Sequence, residues 1–285
     1  MEFRSLENCD FETIFRGFER AFADYEIHFE KEEIRSILQR RGYNPKLSFA
    51  FFDGDEMAAF TLNGIGSFNN RPTVYDTGTG TAKEYRGQRL AGEIFSRSIP
   101  FLKDACIEQY VLEVLRDNHK AIAVYDELGF ETTRELDCFR QTLGNVKFAS
   151  NIAHNRSGCI VMPIDIALVA SGQCFCDFYP SWQNSLESIE RGQKNLIMLG
   201  AFIENTLAGY SVFDPVTGDL SQIAVKHEYR SRGIGSRLLC EVIKSLRTDF
   251  IKVLNVNGTD TTLHEFLKRR NIILSSRQLE MSFQL

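Results

Sequence analysis

Apolar residues along the chain fall alternately into short strand-like runs and helical stripes. Phe3 to Leu6 reads as a strand and Asp10 to Tyr25 as a helix. Ser48 to Phe52 and Met57 to Asn63 read as a hairpin about Asp53-Gly54. Thr73 to Ala82 predicts a further strand. Leu90, Ile94, Phe95, Ile99 and Leu102 then recur at helical spacing, with Pro100 expected to kink the last turn. Tyr110 to Leu115 is strand-like again. A helix is expected from Asn118, a good N-cap, to just before Gly129, a good C-cap.

The second half runs in the same order. Leu196 to Ile203 and Leu207 to Phe213 predict a hairpin, Leu220 to Val225 a strand. Ile234, Leu238, Leu239, Val242, Ile243 and Leu246 form an amphipathic helix, and Ile251 to Val256 a further strand. The repetition extends to residue identities. Tyr85-Arg86-Gly87-Gln88-Arg89-Leu90-Ala91 returns 144 residues later as Tyr229-Arg230-Ser231-Arg232-Gly233-Ile234-Gly235. Each copy follows a strand and opens a helix. The expected fold class is α+β: two tandem domains, each a mixed, mostly antiparallel sheet flanked by helices. Residues 1–142 and 143–285 are the expected domains, joined through the polar segment Leu143 to Ser157.

Composition narrows the function. The chain has 285 residues, enough for two globular units. Hydrophobic residues make up 43% and charged ones 25%, which excludes a mostly disordered chain. With 33 basic and 38 acidic residues the net charge is -5, which argues against a nucleic-acid binder. The longest apolar run, Leu196 to Ile203, is too short to cross a bilayer, so no membrane partner is expected. Met1 to Glu7 shows neither the basic start nor the apolar core of a secretory signal, which makes the cytoplasm the default location. The seven cysteines include no CxxC pair and read as reduced thiols. Cys174-Phe175-Cys176 with His154 and Cys159 matches no standard zinc spacing, so no metal is expected. A monomer and a homodimer both remain open.

A strand that ends in a basic, glycine-rich turn and opens a helix is an anion-binding device. The first helical amides lack internal partners, and the helix dipole adds positive potential there. Arg230-Ser231-Arg232-Gly233-Ile234-Gly235 has this form, and no GK[ST] follows to make it a P-loop. In the first copy Arg89 stands where the second has Gly233, either adding a phosphate ligand or blocking the approach.

These turns resemble the coenzyme A pyrophosphate loop of the GCN5-related N-acetyltransferases. The stretch Leu112-Glu113-Val114 … Asn118 … Ala121 … Tyr125 … Gly129-Phe130 is similar to a second family block, close to its form in bacterial ribosomal-protein alanine acetyltransferases. The resemblance covers both halves and implies an acetyl-CoA-dependent N-acetyltransferase acting on a primary amine, of a small molecule or a peptide. It implies cofactor binding by Arg86, Gly87, Gln88, Arg89, Leu90 and Ala91, and by Arg230, Ser231, Arg232, Gly233, Ile234 and Gly235. It also places the acyl thioester beside Thr79, Gly80 and Thr81, and beside Ile223 and Val225 of the matching strand. Asn118 would touch the pantetheine arm as well as cap its helix.

Glu113 matches the family's general base and Tyr125 its general acid. Glu113 lies mid-strand with Val111 and Leu115 on its own face, which would raise its pKa towards working pH. At the matching places the second half has Asn255 and Leu267, which neither accept nor donate a proton. The first half is therefore the expected catalytic unit. Catalysis in the C-terminal half, or a non-catalytic acyl-CoA- or peptide-binding module, remain as alternatives. For the acceptor, Asp76 in the polar run Asp76-Thr77-Gly78-Thr79-Gly80-Thr81 and Trp182 in Pro180-Ser181-Trp182 are the candidate binding residues.

Overall fold

A computed structural model describes residues 1–24, 30–148 and 158–285. Tyr25, the expected end of the first helix, lies outside these residues, as do His154 and part of the expected junction. The chain divides into two units. Unit 1 comprises Met1–Thr133 with Leu279–Leu285, and unit 2 comprises Arg134–Gln278.

Unit 1 begins with β1 (Glu2–Ser5), α1 (Phe11–Phe22) and α2 (Lys31–Arg41). Asp10 caps α1 by accepting from the Thr13 amide at 2.7 Å, and Ile14, Gly17 and Ala21 form its buried face. The strands β2 (Phe49–Asp53), β3 (Glu56–Phe68) and β4 (Arg71–Thr81) follow as an antiparallel meander. Next come α3 (Leu90–Asp104), β5 (Gln109–Leu115) and α4 (His119–Glu127). Helix α3 continues through Pro100. Asn118 caps α4 by accepting from the Ala121 amide at 3.2 Å, and Gly129 turns the chain out of it with φ 88°. The last strand that starts in this unit is β6 (Glu131–Thr142).

Strand β5 pairs in parallel with β4 at Thr73–Gln109, Val74–Tyr110 and Tyr75–Val111 only. Beyond Tyr75 the two strands separate. The end of the chain lies beside β5, and Leu285 donates its amide to the Glu108 carbonyl at 3.0 Å. One face of β5 packs Tyr110, Leu112 and Val114 against Phe95 of α3 and the inner side of α4.

Unit 2 continues with β7 (Ile160–Pro163), α5 (Ile166–Ser171), α6 (Leu186–Gly192), β8 (Ile197–Ile203), β9 (Thr206–Phe213), β10 (Leu220–Val225), α7 (Ile234–Ser245), β11 (Phe250–Asn257), α8 (Thr261–Lys268) and β12 (Ile273–Gln284). Residues from Leu279 onwards belong to unit 1. Strands β10, β9, β8 and β7 form an antiparallel sheet in that order, while β11 pairs antiparallel with β6. Between β10 and β11 there is one parallel bridge, Asp219–Lys252, after which the strands part. Helix α7 buries Ile234, Leu238, Leu239 and Val242, the stripe expected from its spacing. Among the described residues no helix is long and apolar enough to cross a membrane.

Candidate active site

The two turns share one backbone conformation. Gly87 and Arg89 in unit 1 have φ of 81° and 60°, and Ser231 and Gly233 in unit 2 have 61° and 83°. Two left-handed residues separated by one other bring the chain sharply from the strand end into α3 or α7. A Cβ at Gly87 or Gly233 would meet nothing within 4 Å, so the need for glycine there is conformational and not spatial. Arg89 adopts the left-handed form despite its Cβ. Its side chain is largely exposed and pairs with Glu127 at 3.4 Å. It therefore points along the surface towards α4.

The first arginine of each turn, expected on the cofactor, is instead held by the protein. Arg86 makes a bidentate pair with Asp24 at 2.6 and 2.7 Å and donates to the carbonyls of Ala21 and Thr81. This pairing pulls the Asp24 carboxyl down to about 2. Arg230 repeats the arrangement with Asp177 at 2.9 Å and the carbonyls of Phe175 and Val225. Both guanidiniums bind a carboxylate and two backbone oxygens, which leaves them as braces of the turn. Arg232 lies over the Tyr229 ring.

Where β10 and β11 part, unit 2 has an open cleft of about 680 Å3. Its walls come from Leu220–Val225 of β10, the turn and first residues of α7, Val253–Val256 of β11, α8, and the segment Phe175–Phe178. Of the residues expected to bind the cofactor, Ile223, Val225, Arg230, Ser231, Gly233, Ile234 and Gly235 line this cleft and Arg232 does not. At the corresponding place unit 1 has a cavity of only about 20 Å3. Thr79, Ala91, Asp76 and Tyr125 border it. The space is taken by Phe95, Tyr110 and Phe130, whose ring centroids lie 5.1 to 5.6 Å apart, and by the Tyr125 ring against Phe130 at 5.5 Å. The Tyr125 hydroxyl donates to Asp76 at 3.4 Å, closing the gap between α4 and β4.

Glu113 and Tyr125 are not brought together. Glu113 accepts from the Tyr75 hydroxyl at 3.0 Å. Tyr125 packs with Leu112 and Val114, whose side chains alternate with that of Glu113 along β5. The expected acid and base therefore occupy opposite faces of the strand. Asp76, expected to bind the acceptor, accepts from the Gly78 amide at 2.8 Å and from Thr79 at 2.7 Å. Burial nevertheless pushes its pKa up to about 6.

Three further expectations are corrected by packing. A Cβ on Gly80 would lie 2.7 Å from Phe60 and 2.8 Å from Ala21, so the glycine admits α1 rather than a ligand. Leu90 is buried in the core between α3 and β2. Trp182 is fully buried with Arg191 stacked over its ring, and it does not reach the cleft. Two residues further on, Asn184 does reach it and donates to the Leu254 carbonyl at 2.9 Å.

Asn184 belongs to a polar network that only the folded chain reveals. Its carbonyl accepts from the Gln222 amide at 2.6 Å, and the Gln222 side-chain oxygen accepts from Tyr210 and Gln173 at 2.9 Å each. Tyr210 also contacts the Cys176 sulfur at 3.2 Å. Burial pushes both the Cys176 thiol and the Tyr210 phenol up, so both stay protonated at neutral pH. Cys176, Asn184 and Gln222 face the cleft. Asn255, also at the cleft, is held at φ 59° where β11 bulges between Val253 and Val256. Among the described residues no group of three His, Cys, Asp or Glu side chains could hold a metal ion.

Comparison with known proteins places these features. The acetyltransferase (GNAT) family model matches residues 6–130 and 170–271. No curated protein matches the chain in sequence. A GCN5-related N-acetyltransferase from Sphaerobacter thermophilus superposes with a TM-score of 0.70 at 14% identity, over 99% of this chain and 95% of that one. A tandem GNAT protein from the clavulanic acid biosynthesis pathway gives 0.72 at 12% identity, over 99% and 98%. The glucosamine N-acetyltransferase region of a fungal multi-domain β-N-acetylglucosaminidase gives 0.74 at 14%, over 99% of this chain and 38% of that one.

Proposed function

Because the chain belongs to the acetyltransferase (GNAT) family in both its halves, we propose that it moves an acetyl group from acetyl-CoA to a primary amine in the cleft of unit 2. The observation that carries this reading is the contrast between the repeats. The cleft between β10 and β11 measures about 680 Å3, whereas the corresponding space beside Asp76 and Tyr125 measures about 20 Å3. A cofactor needs a volume of several hundred Å3, and only the former supplies it. Unit 1 is a scaffold whose own cleft is filled with aromatic side chains.

In the cleft, β10 would hold the thioester and the start of α7 its diphosphate, because the amides after Gly233 have no helical partner. The acceptor nitrogen enters past Cys176 and Asn184. Its lone pair would form the new bond to the carbonyl carbon as the carbon–sulfur bond breaks, with solvent taking the amine proton and returning one to the departing thiolate, since Asn255 and Leu267 offer neither base nor acid. Catalysis then rests on alignment and on the polar wall of Asn184 and Gln222. The acceptor is a small-molecule or peptide amine.

Turnover of acetyl-CoA with a panel of amines tests the assignment. Ile223→Trp, which fills the cleft wall, is expected to lower kcat/KM at least tenfold. Glu113→Gln is expected to change it less than twofold, with thermal melts verifying that both variants fold. The opposite pattern returns catalysis to unit 1.

A further inference from the structure

Three arginines line the cleft of unit 2: Arg230, Arg269 and Arg270. Arg230 is committed to Asp177. Arg269 and Arg270, at the end of α8, have no carboxylate partner among the described residues. Of the acidic residues on the same wall, Asp260 caps α8 by accepting from the Thr262 and Leu263 amides, and Glu265 pairs with Lys268. Arg270 is oriented by a hydrogen bond to the Ser236 hydroxyl in the first turn of α7 and by stacking at 4.2 Å over the Phe266 ring. Its Nε is buried and has no hydrogen-bond partner.

Unit 1 provides an internal comparison. The residues 144 before Ser236 and 142 before Arg270 are Gly92 and Leu128. These two also face each other, since a Cβ on Gly92 would lie 3.7 Å from Leu128. By the same offsets Gly233 and Arg269 replace Arg89 and Glu127, which form an ion pair. The unit with the closed cleft thus has an apolar contact and a neutralised pair at this point. The unit with the open cleft has two unneutralised cations beside a helix N-terminus. Burial and the adjacent Arg269 both push the Arg270 pKa down, a penalty that a bound anion would offset.

We propose that Arg270, with Arg269 beside it, holds a phosphate group of the bound coenzyme and gives the unit 2 cleft its selectivity for a phosphorylated thioester carrier. The inference rests on the proposed function, because it takes the cleft to be the coenzyme site. Ser236 fixes the guanidinium at the cleft wall beside the start of α7, where its charge would meet a bound phosphate.

Calorimetric titration of the full chain tests this with coenzyme A, 3′-dephospho-coenzyme A and pantetheine, the last measured by displacement. Arg270→Leu, alone or with Ser236→Gly, is expected to weaken coenzyme A by about tenfold or more, the scale of a charge-assisted hydrogen bond, and to leave pantetheine unchanged. Arg270→Lys should retain part of the affinity, and Lys244→Gln, at the far end of α7, all of it. A loss that persists with 3′-dephospho-coenzyme A assigns Arg270 to the diphosphate, and a loss that disappears assigns it to the 3′-phosphate. Equal weakening of coenzyme A and pantetheine, or no weakening of either, overturns the inference. Arg270→Gln gives the same reading if the leucine variant does not fold. Failure of the unaltered chain to bind coenzyme A at all would overturn the proposed function itself.

Discussion

Asp76 accepts hydrogen bonds from the Gly78 amide, Thr79 and Tyr125, yet burial outweighs them and its pKa rises to about 6. An unfolded aspartate titrates near 3.9. Between about pH 4 and 6 the folded chain therefore holds a proton that the unfolded chain has released. Stability from this group is highest below pH 4, falls as pH rises through that window, and is level above it. Two pKa units correspond to roughly 2–3 kcal/mol, an upper bound for a half-buried group. Urea titrations at pH 4.5 and 7.5 should show Asp76→Asn gaining on the unaltered chain as pH rises. Parallel profiles would refute the assignment. The residue itself is conspicuous in the sequence, since an acid in a glycine-rich strand is unusual. Its partner is not, because only folding brings Tyr125 to β4. Glu113 is obscured for the same reason: only folding sets it on Tyr75, on the face of β5 opposite Tyr125.

At the scale of elements, the strand–turn–helix unit is the most legible part of the chain. Its two copies have the same left-handed pair, and the sequence differs at the position where conformation matters most. Gly233 holds φ 83° without strain, whereas Arg89 holds φ 60° with a Cβ. Arg89→Gly should stabilise the chain by roughly 0.5–1 kcal/mol, after the loss of the exposed pair with Glu127, which contributes little. Chemical denaturation measures this directly, and a destabilisation would show that the ion pair, not the backbone, governs the turn. Glycines elsewhere are harder to interpret. Gly80 suggests a ligand from its neighbours alone, but the tight approach of Phe60 and Ala21 that requires it comes from packing of distant elements. Trp182 and Asn184 make the same point in one 3-10 turn, where the aromatic is buried and the amide reaches the cleft.

Over the whole molecule, the internal repetition of the sequence implies two domains, and the chain folds as two units. The final residues are not legible in this way: Leu279–Leu285 return to unit 1, a pairing between strands far apart in sequence that no local pattern encodes. The division of labour between the halves is equally hidden. Glu113 and Tyr125, the expected base and acid, lie in unit 1, but volume and unneutralised positive charge are found in unit 2. The decisive measurement is a crystal structure of the chain grown with coenzyme A. One molecule per chain is expected, between β10 and β11, with its diphosphate at the start of α7. Coenzyme A bound instead between β4 and β5, with Tyr125 drawn away from Asp76, would contradict the account.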